Sequence, residues 1–494
     1  MQYYIGIDMG TTNVKAILFQ ENGTQVICAS EPSPVQALAE GQAIYDPEEL
    51  WALVCRLLSQ IVHTLSLDVK LSALNSIAGI AITGMGEAGV PLSKNGKPLY
   101  PIIAWYDTRT MPYVDAWRTE FGEEKLLLIT GLRNQHIFTA NKLQWLRDNE
   151  PNVFAQMAMW HCVPDYISFC LTGCSAMDYS LAARTMMMNI ETFDWSEEIL
   201  QYIGIDRKRL PQIVPAGTRV GTLTLEASQA CGLPAGIPVF AGGHDHICGA
   251  LAVGVFEEGS MLDSSGTAEE VLLASSCWKL TQPVGLLGFN VGPHVVKNRY
   301  YLSGGIPASG ASVDWFRRQF GEGEPGAPLA NGLLFLPHLR GSSSPDRSPV
   351  SAGAFIGLRD YHTPTDLRQA VYEGVCMEMR LMADSLRKDQ ELTRVVSIGG
   401  GTKNKVWLQT KADVLNHPIE IPKVRESTAL GAAMLAAIGA GQYADAESAF
   451  AATYQLEETV RPRADYAEQY HAQYQKFKKL YPALFRLYSD LQSC

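Results

Sequence analysis

The chain has 494 residues, of which 47% are hydrophobic and 18% charged, with a formal net charge of -11. This length and composition predict a globular protein of two or three domains with large cores. The acidic balance disfavours nucleic acid as a partner, because nucleic-acid sites reward basic patches. No run of about 18 consecutive apolar residues occurs, so we expect no transmembrane helix and no membrane partner.

The start of the chain and its cysteines bear on the cellular compartment. Residues 1–5 enter a strand pattern directly, without a basic segment followed by a long apolar one, so we expect no signal peptide. The ten cysteines are dispersed and form no Cys-x-x-Cys pair. This spacing predicts reduced thiols in a cytoplasmic protein, without a structural zinc site.

The first half of the chain alternates apolar strands with glycine turns. Asn22 and Gly23 supply a hairpin turn. The acidic run at 46–49 starts a helix that we expect to reach about residue 65. The pattern at 90–103 predicts another hairpin, around Asn95 and Gly96. The predicted strands of this half are 3–7, 14–19, 25–29, 77–83, 90–92, 98–103 and 239–241.

The second half begins with a predicted helix at 245–253. Aromatic residues between Tyr466 and Tyr481 recur at helical spacing, which predicts a helix docked on the body of the protein. Pro482 is expected to kink or end that helix. The other predicted elements are strands 260–263, 269–274 and 395–398, and helices 366–388 and 426–440.

Residues 6–15, GIDMGTTNVK, place a tight turn between two apolar strands. Gly10 lets the backbone approach a ligand closely. The hydroxyl and amide groups of the residues after Gly10 can donate hydrogen bonds to phosphate oxygens. Asp8, at the head of the turn, supplies the hard oxygen that Mg²⁺ prefers. The residues predicted to contact nucleotide phosphates are Gly10, Thr11, Thr12, Asn13 and Lys15.

Two further glycine turns extend this pattern. Residues 262–269, LDSSGTAE, again lead from a strand into a hydroxyl-rich bend, which predicts phosphate contacts from Gly266 and Thr267. Residues 397–404, SIGGGTKN, allow a flat base or ribose to lie against the backbone. The nucleotide contacts predicted there are Gly400, Gly401 and Asn404. Neither Gly-x-Gly-x-x-Gly nor a Walker-type phosphate loop occurs.

The order of these motifs resembles that of the FGGY carbohydrate kinases. The succession is Gly-x-Asp-x-Gly-Thr-Thr at 6–12, Gly-x-Asp at 243–245, Ser-Gly-Thr at 265–267 and Gly-Gly-Gly at 399–401. The stretch 353–374 resembles the C-terminal signature of that family throughout, and 142–146 and 165–173 are also family-like. The resemblance spans about residues 3–440.

The resemblance implies an α/β protein of two actin-like (ribonuclease H-like) domains flanking an interdomain cleft. It implies ATP as co-substrate, Mg²⁺, a small-molecule sugar or polyol as acceptor, and a homodimer. Asp245 corresponds to the general base of the family, which would take a proton from the sugar hydroxyl. A helix N-cap is the alternative role for Asp245, and the two roles are compatible. The expected domains are 1–246 and 247–460, followed by a helical extension at 461–494.

The sugar contacts are expected after the strand at 77–83 and around residue 105. Glu87 can accept hydrogen bonds from vicinal hydroxyls, and Trp105 can cover a carbon skeleton. Asp107 is a further candidate, although it could instead pair with Arg109 structurally. His246, next to the proposed base, either contacts substrate or satisfies a loop carbonyl.

Residues 85–87 depart from the better-known subfamilies. They read Met-Gly-Glu, where glycerol kinases show Gln-Arg-Glu, and the Met-His pair typical of xylulose kinases is absent. Ketopentoses, pentitols and tetritols therefore all stay open as substrates. The alternative function is an actin-fold ATPase or regulatory nucleotide-binding protein without sugar kinase activity.

Overall fold

A computed structural model describes residues 1–39, 41–67, 74–279, 288–345, 347–387 and 390–492. Packing divides the chain into two compact units. The N-terminal unit comprises Met1–Phe256, Gly292–Tyr300 and Glu426–Tyr454. The C-terminal unit comprises Glu257–Val291, Tyr301–Arg425 and Gln455–Cys494.

The N-terminal unit is built on a mixed sheet. Its strands are β1 Tyr3–Met9, β2 Asn13–Gln20, β3 Gln25–Pro32, β4 Val35–Ala37, β5 Ala43–Tyr45, β6 Ile77–Gly84, β7 Gly89–Leu92, β8 Ile102–Ile103, β9 Met159–Cys162, β10 Ala176–Asp178, β11 Met188–Asn189, β12 Asp194–Trp195, β13 Gln212–Val214, β14 Arg219–Thr222 and β15 Pro238–His244. The main sheet has six strands in the order β14-β15-β6-β1-β2-β3.

Three parallel strands at the centre of this sheet, β1, β6 and β15, end side by side. Met9 pairs with Gly84, and Gly84 pairs with His244. β1 and β6 are almost fully buried, as their near-continuous apolar sequences require of strands covered on both faces. The segments that follow the three strands therefore leave the sheet at one edge.

Helices cover both faces of the sheet and build the rest of the unit. They are α1 Pro47–Leu67, α2 Met111–Ala116, α3 Glu123–Thr130, α4 Thr139–Asn149, α5 Pro151–Gln156, α6 Val163–Thr172, α7 Tyr179–Arg184, α8 Glu197–Ile203, α9 Leu225–Cys231 and α10 Asp245–Ala252. By length and composition α1 could cross a membrane, since its most apolar 18-residue stretch has a mean hydropathy of 1.4. Core helices pass the same test, and α1 buries one face against β2 and β3.

The remaining helices lie later in the chain. They are α11 Gly310–Phe320, α12 Pro364–Arg387, α13 Lys405–Leu415, α14 Ser427–Gly439, α15 Ala446–Thr453, α16 Ala467–Phe477 and α17 Leu480–Gln492. Of these, α14 belongs to the N-terminal unit and packs against β1, β6, β15 and α10.

Glycines allow α14 to approach its neighbours at backbone contact. A Cβ atom on Gly6 would lie 1.9 Å from the carbonyl oxygen of Ala429, and one on Gly431 would lie 1.9 Å from that of Cys248. No side chain fits at such distances, so both positions require glycine for this packing.

Gly431→Ala should destabilise the N-terminal unit by about 1–3 kcal/mol or more, because α10 and α14 must separate to admit the methyl group. Urea unfolding measures this loss. Gly400→Ala is the matched control for stability, since a Cβ there meets nothing within 4 Å. A Gly431→Ala protein that unfolds at the wild-type urea concentration would contradict this account of the packing.

The C-terminal unit repeats the strand order of the first. Its strands are β16 Ser260–Ser265, β17 Glu269–Ser275, β18 Asn290–Pro293, β19 Tyr300–Ile306, β20 Leu334–Leu336, β21 Ala354–Ile356, β22 Arg394–Ile398, β23 Ile419–Pro422 and β24 Leu456–Val460. The main sheet runs β18-β19-β17-β16-β22-β23-β24. In sheet order, β19-β17-β16-β22-β23-β24 corresponds strand by strand to β3-β2-β1-β6-β15-β14 of the first sheet. β16 is therefore the counterpart of β1, and the turns that follow these two strands occupy equivalent positions.

The C-terminal aromatic stretch forms two helices rather than one. Tyr470, Tyr474 and Phe477 are buried in a core that also contains Tyr372 and Trp407, which confirms the predicted docking. The interruption predicted near Pro482 is present. The helix α16 ends at Phe477 and α17 begins at Leu480 with the proline in its first turn, because a proline ring clashes with the helical carbonyl four residues before it.

The hairpin predicted at 90–103 forms only next to its turn. The Ser93 amide donates to the Lys97 carbonyl and the Leu99 amide donates to the Pro91 carbonyl, both at 2.9 Å, beside an isolated bridge between Leu92 and Pro98. The longer pairings lie elsewhere, since β7 pairs antiparallel with β9, and β8 pairs with β5. The nine cysteines among the described residues are all free thiols.

Candidate active site

The first glycine turn connects β1 to β2 at the sheet edge. Ser33 braces it, since its hydroxyl donates to the Gly10 carbonyl at 2.6 Å and its amide donates to that of Thr12 at 2.9 Å. A Cβ on Gly10 would lie 2.7 Å from the Asn13 carbonyl oxygen, so the tightness of the turn requires glycine. Thr12 is exposed and Thr11 half-buried. The turn is thus rigid in its backbone and open to a ligand.

Asp8 precedes this turn and carries an unsatisfied oxygen. Its Oδ1 atom is buried and has no hydrogen-bond partner. Burial, and then the charge of Asp245, raise the pKa of Asp8 to about 7. Lys15 lies opposite Asp8 across the hairpin, but its Nζ atom pairs with Oε2 of Glu426 at 2.5 Å. The structure therefore pairs Lys15, a predicted phosphate contact, with a carboxylate.

Trp105 links the predicted sugar segment to the phosphate turn. Its Nε1 atom donates to the Thr11 hydroxyl at 2.9 Å. The buried Lys142, from the family-like stretch at 142–146, donates to the carbonyl oxygens of Ile137 and Trp105. Burial lowers the pKa of Lys142 to about 8. These contacts fix the Trp105 backbone and orient its ring.

Asp107 and Arg109 form a structural pair, which resolves the alternative left open by the sequence. The Asp107 side chain is 0% exposed and accepts two bonds from the Arg109 guanidinium, both at 2.9 Å. It also accepts the amides of Arg109 and Ala43. With its acceptor positions occupied in this way, the carboxylate holds the chain together, and the substrate contact predicted for Asp107 finds no support.

Glu87 lies beyond β6 and is buried beside a cation that the sequence analysis missed. The Nε atom of Arg184 donates to its Oε1 at 2.6 Å, and Nη2 contacts the same oxygen. Burial alone would raise the pKa of Glu87, but Arg184 and His244 outweigh it and lower that pKa. Arg184 ends α7, 97 residues away, and no local pattern marks it.

Asp245 begins α10, directly after β15. His244 occupies the N-cap, so Asp245 is the first helical residue, where a carboxylate is favoured by the helix dipole. Its Oδ1 atom accepts the His246 amide at 2.6 Å and lies 3.0 Å from Nδ1 of His244. The Asp245 side chain is 29% exposed and that of His246 is 42% exposed. Both are open to a ligand at the sheet edge.

The histidines and the carboxylate have different charge states. Burial lowers the pKa of His244 to about 4, so this imidazole is neutral near pH 7. Burial opposes the charge on Asp245. Nearby groups outweigh this effect and hold the pKa of Asp245 below its usual range; they are His244, His246, the His246 amide and Arg184. Asp245 is therefore an ionised carboxylate at neutral pH, as a proton acceptor must be.

The second glycine turn, in the C-terminal unit, exposes Gly266 and Thr267. The amide of Gly310, at the start of α11, donates to the Gly266 carbonyl at 3.1 Å, and the amide of Ala311 donates to that of Thr267 at 2.9 Å. The turn is thus anchored through its carbonyls.

The third turn follows β22 in the same unit. A Cβ on Gly400 would meet nothing within 4 Å, which leaves open space beside the backbone, whereas one on Gly401 would lie 2.6 Å from Cβ of Ser265. Asn404 caps α13 through the amide of Trp407 and donates to the Tyr372 hydroxyl at 2.9 Å. Its contacts in the structure are thus those of a helix cap.

Asp8 is the residue best suited to a metal in the N-terminal unit. The described residues contain no group of three or more His, Cys, Asp or Glu arranged around a metal. Magnesium does not need one, since it is bound by one or two carboxylates, water and substrate phosphates. The buried, unsatisfied oxygen of Asp8 beside the nucleotide turn fits that donor set.

Two family matches cover most of the chain. Residues 3–252 match the N-terminal domain of the FGGY family of carbohydrate kinases, and residues 263–440 match the C-terminal domain. The chain belongs to the FGGY family of carbohydrate kinases. The expected two-domain, actin-like α/β fold is confirmed, as is a carbohydrate kinase that uses ATP as co-substrate. An actin-fold ATPase without sugar kinase activity finds no support in these comparisons.

Several relatives align with this FGGY kinase along their whole length. It is 31% identical to the xylulose kinase of Bacillus subtilis (strain 168), over 100% of this chain and 99% of that protein. It is also 31% identical to the glycerol kinase of Chloroflexus aggregans, over 94% of this chain and 95% of that one. The crystal structure of the xylulose kinase from Rhodospirillum rubrum matches with a TM-score of 0.90 at 28% identity, covering 99% of this chain and 100% of that chain.

Proposed function

We propose that this FGGY kinase transfers the γ-phosphoryl group of ATP to a hydroxyl of a ketopentose such as xylulose, or of a pentitol or tetritol, with Asp245 as general base. The observation that carries the proposal is the ionised, accessible Asp245 carboxylate at the edge of the sheet where the Asp8 turn and the Glu87 segment also end. The whole-length similarity to proteins named xylulose kinase supports the ketopentose.

Asp245 would accept the proton of the attacking hydroxyl as the hydroxyl oxygen bonds to the γ-phosphorus and the bond from that phosphorus to the β–γ bridging oxygen breaks, releasing ADP. The His246 amide holds one carboxylate oxygen in place, which orients the base without protonating it. His244, whose Nδ1 atom lies 3.0 Å from the carboxylate, is the first of the groups that lower the pKa of Asp245, and it therefore favours the ionised base. Such a base is typically worth about 10²–10⁴-fold in rate.

Each unit has a hydroxyl-rich turn suited to the phosphate oxygens of ATP. Gly10, Thr11 and Thr12 lie in that of the N-terminal unit, and Gly266 and Thr267 lie in that of the C-terminal unit. The open face at Gly400 suits the base or ribose. Asp8 would hold magnesium directly or through water, and the metal, when bound, neutralises charge on the transferring phosphoryl group.

The affinity for magnesium–ATP should fall as the pH drops below about 7, because Asp8 must lose its proton before its carboxylate can meet a cation. Calorimetric titration on both sides of that pH measures the effect. Asp8→Asn should weaken binding and flatten the pH dependence. ATP titrates equally in both proteins, so equal slopes in wild type and variant would contradict a role for Asp8.

The sugar or polyol would contact Glu87, Trp105 and His246. Because Arg184 keeps Glu87 ionised, the carboxylate can accept hydrogen bonds from vicinal hydroxyls. Trp105 presents an apolar ring surface to the carbon skeleton while its indole N–H is held by Thr11.

A coupled assay of ADP release over ketopentoses, pentitols, tetritols and glycerol tests the proposed substrate class. We expect one ketopentose, pentitol or tetritol to show a higher kcat/KM than glycerol, because residues 85–87 lack the arginine of the glycerol kinase pattern. Preference for glycerol, or ATP hydrolysis indifferent to every acceptor, would overturn the assignment.

A further inference from the structure

Three charged side chains lie buried beneath the second glycine turn, and the proposed reaction uses none of them. Lys411 on α13 is 1% exposed, and Asp263 on β16 and Glu269 on β17 are 0% exposed. Nζ of Lys411 lies 2.6 Å from Oδ2 of Asp263 and 3.2 Å from Oε2 of Glu269, and it also donates to the Ser265 hydroxyl. One cation thus joins both strands that flank the turn.

Hydroxyl groups extend this network to the neighbouring segments. The Ser397 hydroxyl, on β22, donates to Oδ2 of Asp263 at 2.6 Å, and that of Ser309, just before α11, donates to Oε2 of Glu269 at 2.6 Å. Ser265 donates to Oδ1 of Asp263 at 3.0 Å. The network therefore joins β16 and β17 to α13, to β22 and to the segment just before α11.

Close backbone contacts restrict the positions of Ser265 and Gly266 above this network. A Cβ on Gly399 would lie 2.4 Å from the Ser265 carbonyl oxygen, and one on Gly310 would lie 2.4 Å from that of Gly266. The Gly399 turn thus packs on Ser265 and the start of α11 packs on Gly266, so a shift of Ser265 would move the Gly266 and Thr267 amides with it.

A purely stabilising role explains this arrangement poorly. Burying three ionisable groups is expensive: burial, and then the charge of Asp263, raise the pKa of Glu269 to about 7. Well-packed apolar residues often serve stability equally well. The lysine stays cationic, because Asp263 and Glu269 outweigh burial and raise the pKa of Lys411. The ion pairs and hydrogen bonds of Lys411 are directional, so they determine the geometry of the turns more than they contribute to the stability of the unit.

We propose that Lys411 is a positioning residue for the nucleotide: it sets the Ser265–Thr267 bend against the Gly399–Gly401 turn so that the bend's amides are aligned before ATP binds. This inference rests on the proposed phosphate-binding role of Gly266 and Thr267. Lys411 acts through Ser265 and touches no reacting atom.

The test is calorimetric binding of ADP, which needs no sugar turnover. Lys411→Met should weaken ADP binding on the order of 10- to 100-fold, since the loss of one hydrogen bond to a charged phosphate costs about that much. In the coupled assay, KM for ATP should rise while KM for the sugar stays within about twofold. Unchanged ADP affinity in a folded Lys411→Met protein would overturn the proposal.

A second variant separates position from charge. Lys411→Met alone adds negative charge beneath a phosphate site, whereas Lys411→Met combined with Glu269→Gln keeps the net charge of the network at the native value. The double variant leaves only the Asp263 carboxylate without its cation, whereas Lys411→Met alone leaves Asp263 and Glu269 unpaired. It should still bind ADP at least about tenfold more weakly, and wild-type affinity in it would overturn the positioning role.

Asp413→Asn provides the matched control on the same helix. Asp413 is buried and pairs with Arg463 at 2.6 Å, away from the turn, so its loss should lower the unfolding temperature and leave ADP affinity unchanged. Weakened ADP binding in this control would overturn the specific role of Lys411. Wild-type protein that binds no ADP would overturn the inference together with its premise, whereas inactivity toward every sugar with normal ADP binding would count against the proposed substrate alone.

Discussion

Replacing Asp245 with asparagine should lower kcat by about 10²–10⁴-fold while nucleotide affinity stays near the wild-type value. Asparagine keeps the shape of the side chain and still accepts the His246 amide at the start of α10. What it lacks is the capacity to take up the proton of the acceptor hydroxyl. The coupled assay with the best acceptor measures kcat, and calorimetry measures ATP binding.

The pH profile provides an independent check on this assignment. Because the pKa of Asp245 is held below its usual range, the base form persists at neutral pH and is lost only as the pH falls through that lowered value. Protonation of Asp245 should therefore cause no loss of activity in the neutral range. Substantial turnover by Asp245→Asn would show that another group accepts the proton.

Replacing Arg184 with methionine should have the second-largest effect. It leaves the Glu87 carboxylate buried without its cation, and removing one partner of a buried ion pair costs about 3–5 kcal/mol. The pKa of Glu87, no longer lowered by Arg184, would rise through burial. We expect a lower unfolding temperature and a higher KM for the acceptor, with KM for ATP less affected.

A double-mutant cycle isolates the pair from the loss of either residue. Glu87→Gln combined with Arg184→Met removes both charges, so it should be more stable than Arg184→Met alone and equally poor in acceptor affinity. Unfolding by urea and KM for the acceptor are measured in all four proteins. If the single variants keep the wild-type acceptor KM, Glu87 does not belong to the sugar site.

The sequence predicted elements whose cause is local. β1, β2 and the turn between them follow from two apolar runs around Gly10, and the helix beginning at Asp245 follows from a glycine pair and an acidic start. Pairings between distant segments had no such signal. β7 pairs with β9 across an intervening region of several helices, and the nearby turn at Asn95 and Gly96 gave no indication of that second partner.

The same limit applied to the candidate site. The positions of Asp8, Glu87 and Asp245 at one sheet edge follow from strands that end in polar residues. Sequence alone could not show which carboxylates are already paired. Asp107 forms an ion pair with Arg109, which is only two residues away in the sequence. Glu87 forms an ion pair with Arg184, which is distant in the sequence and is brought near only by the fold.

The late return of residues Glu426–Tyr454 to the N-terminal unit constrains how the protein is made. The apolar surfaces of β1, β6 and β15 receive their cover, α14, only after Gly439 has emerged from the ribosome. During most of translation this nascent half displays an uncovered hydrophobic surface, the kind of surface that promotes aggregation and recruits chaperones. Truncated products that stop before Glu426 should accordingly be insoluble, however complete their strands.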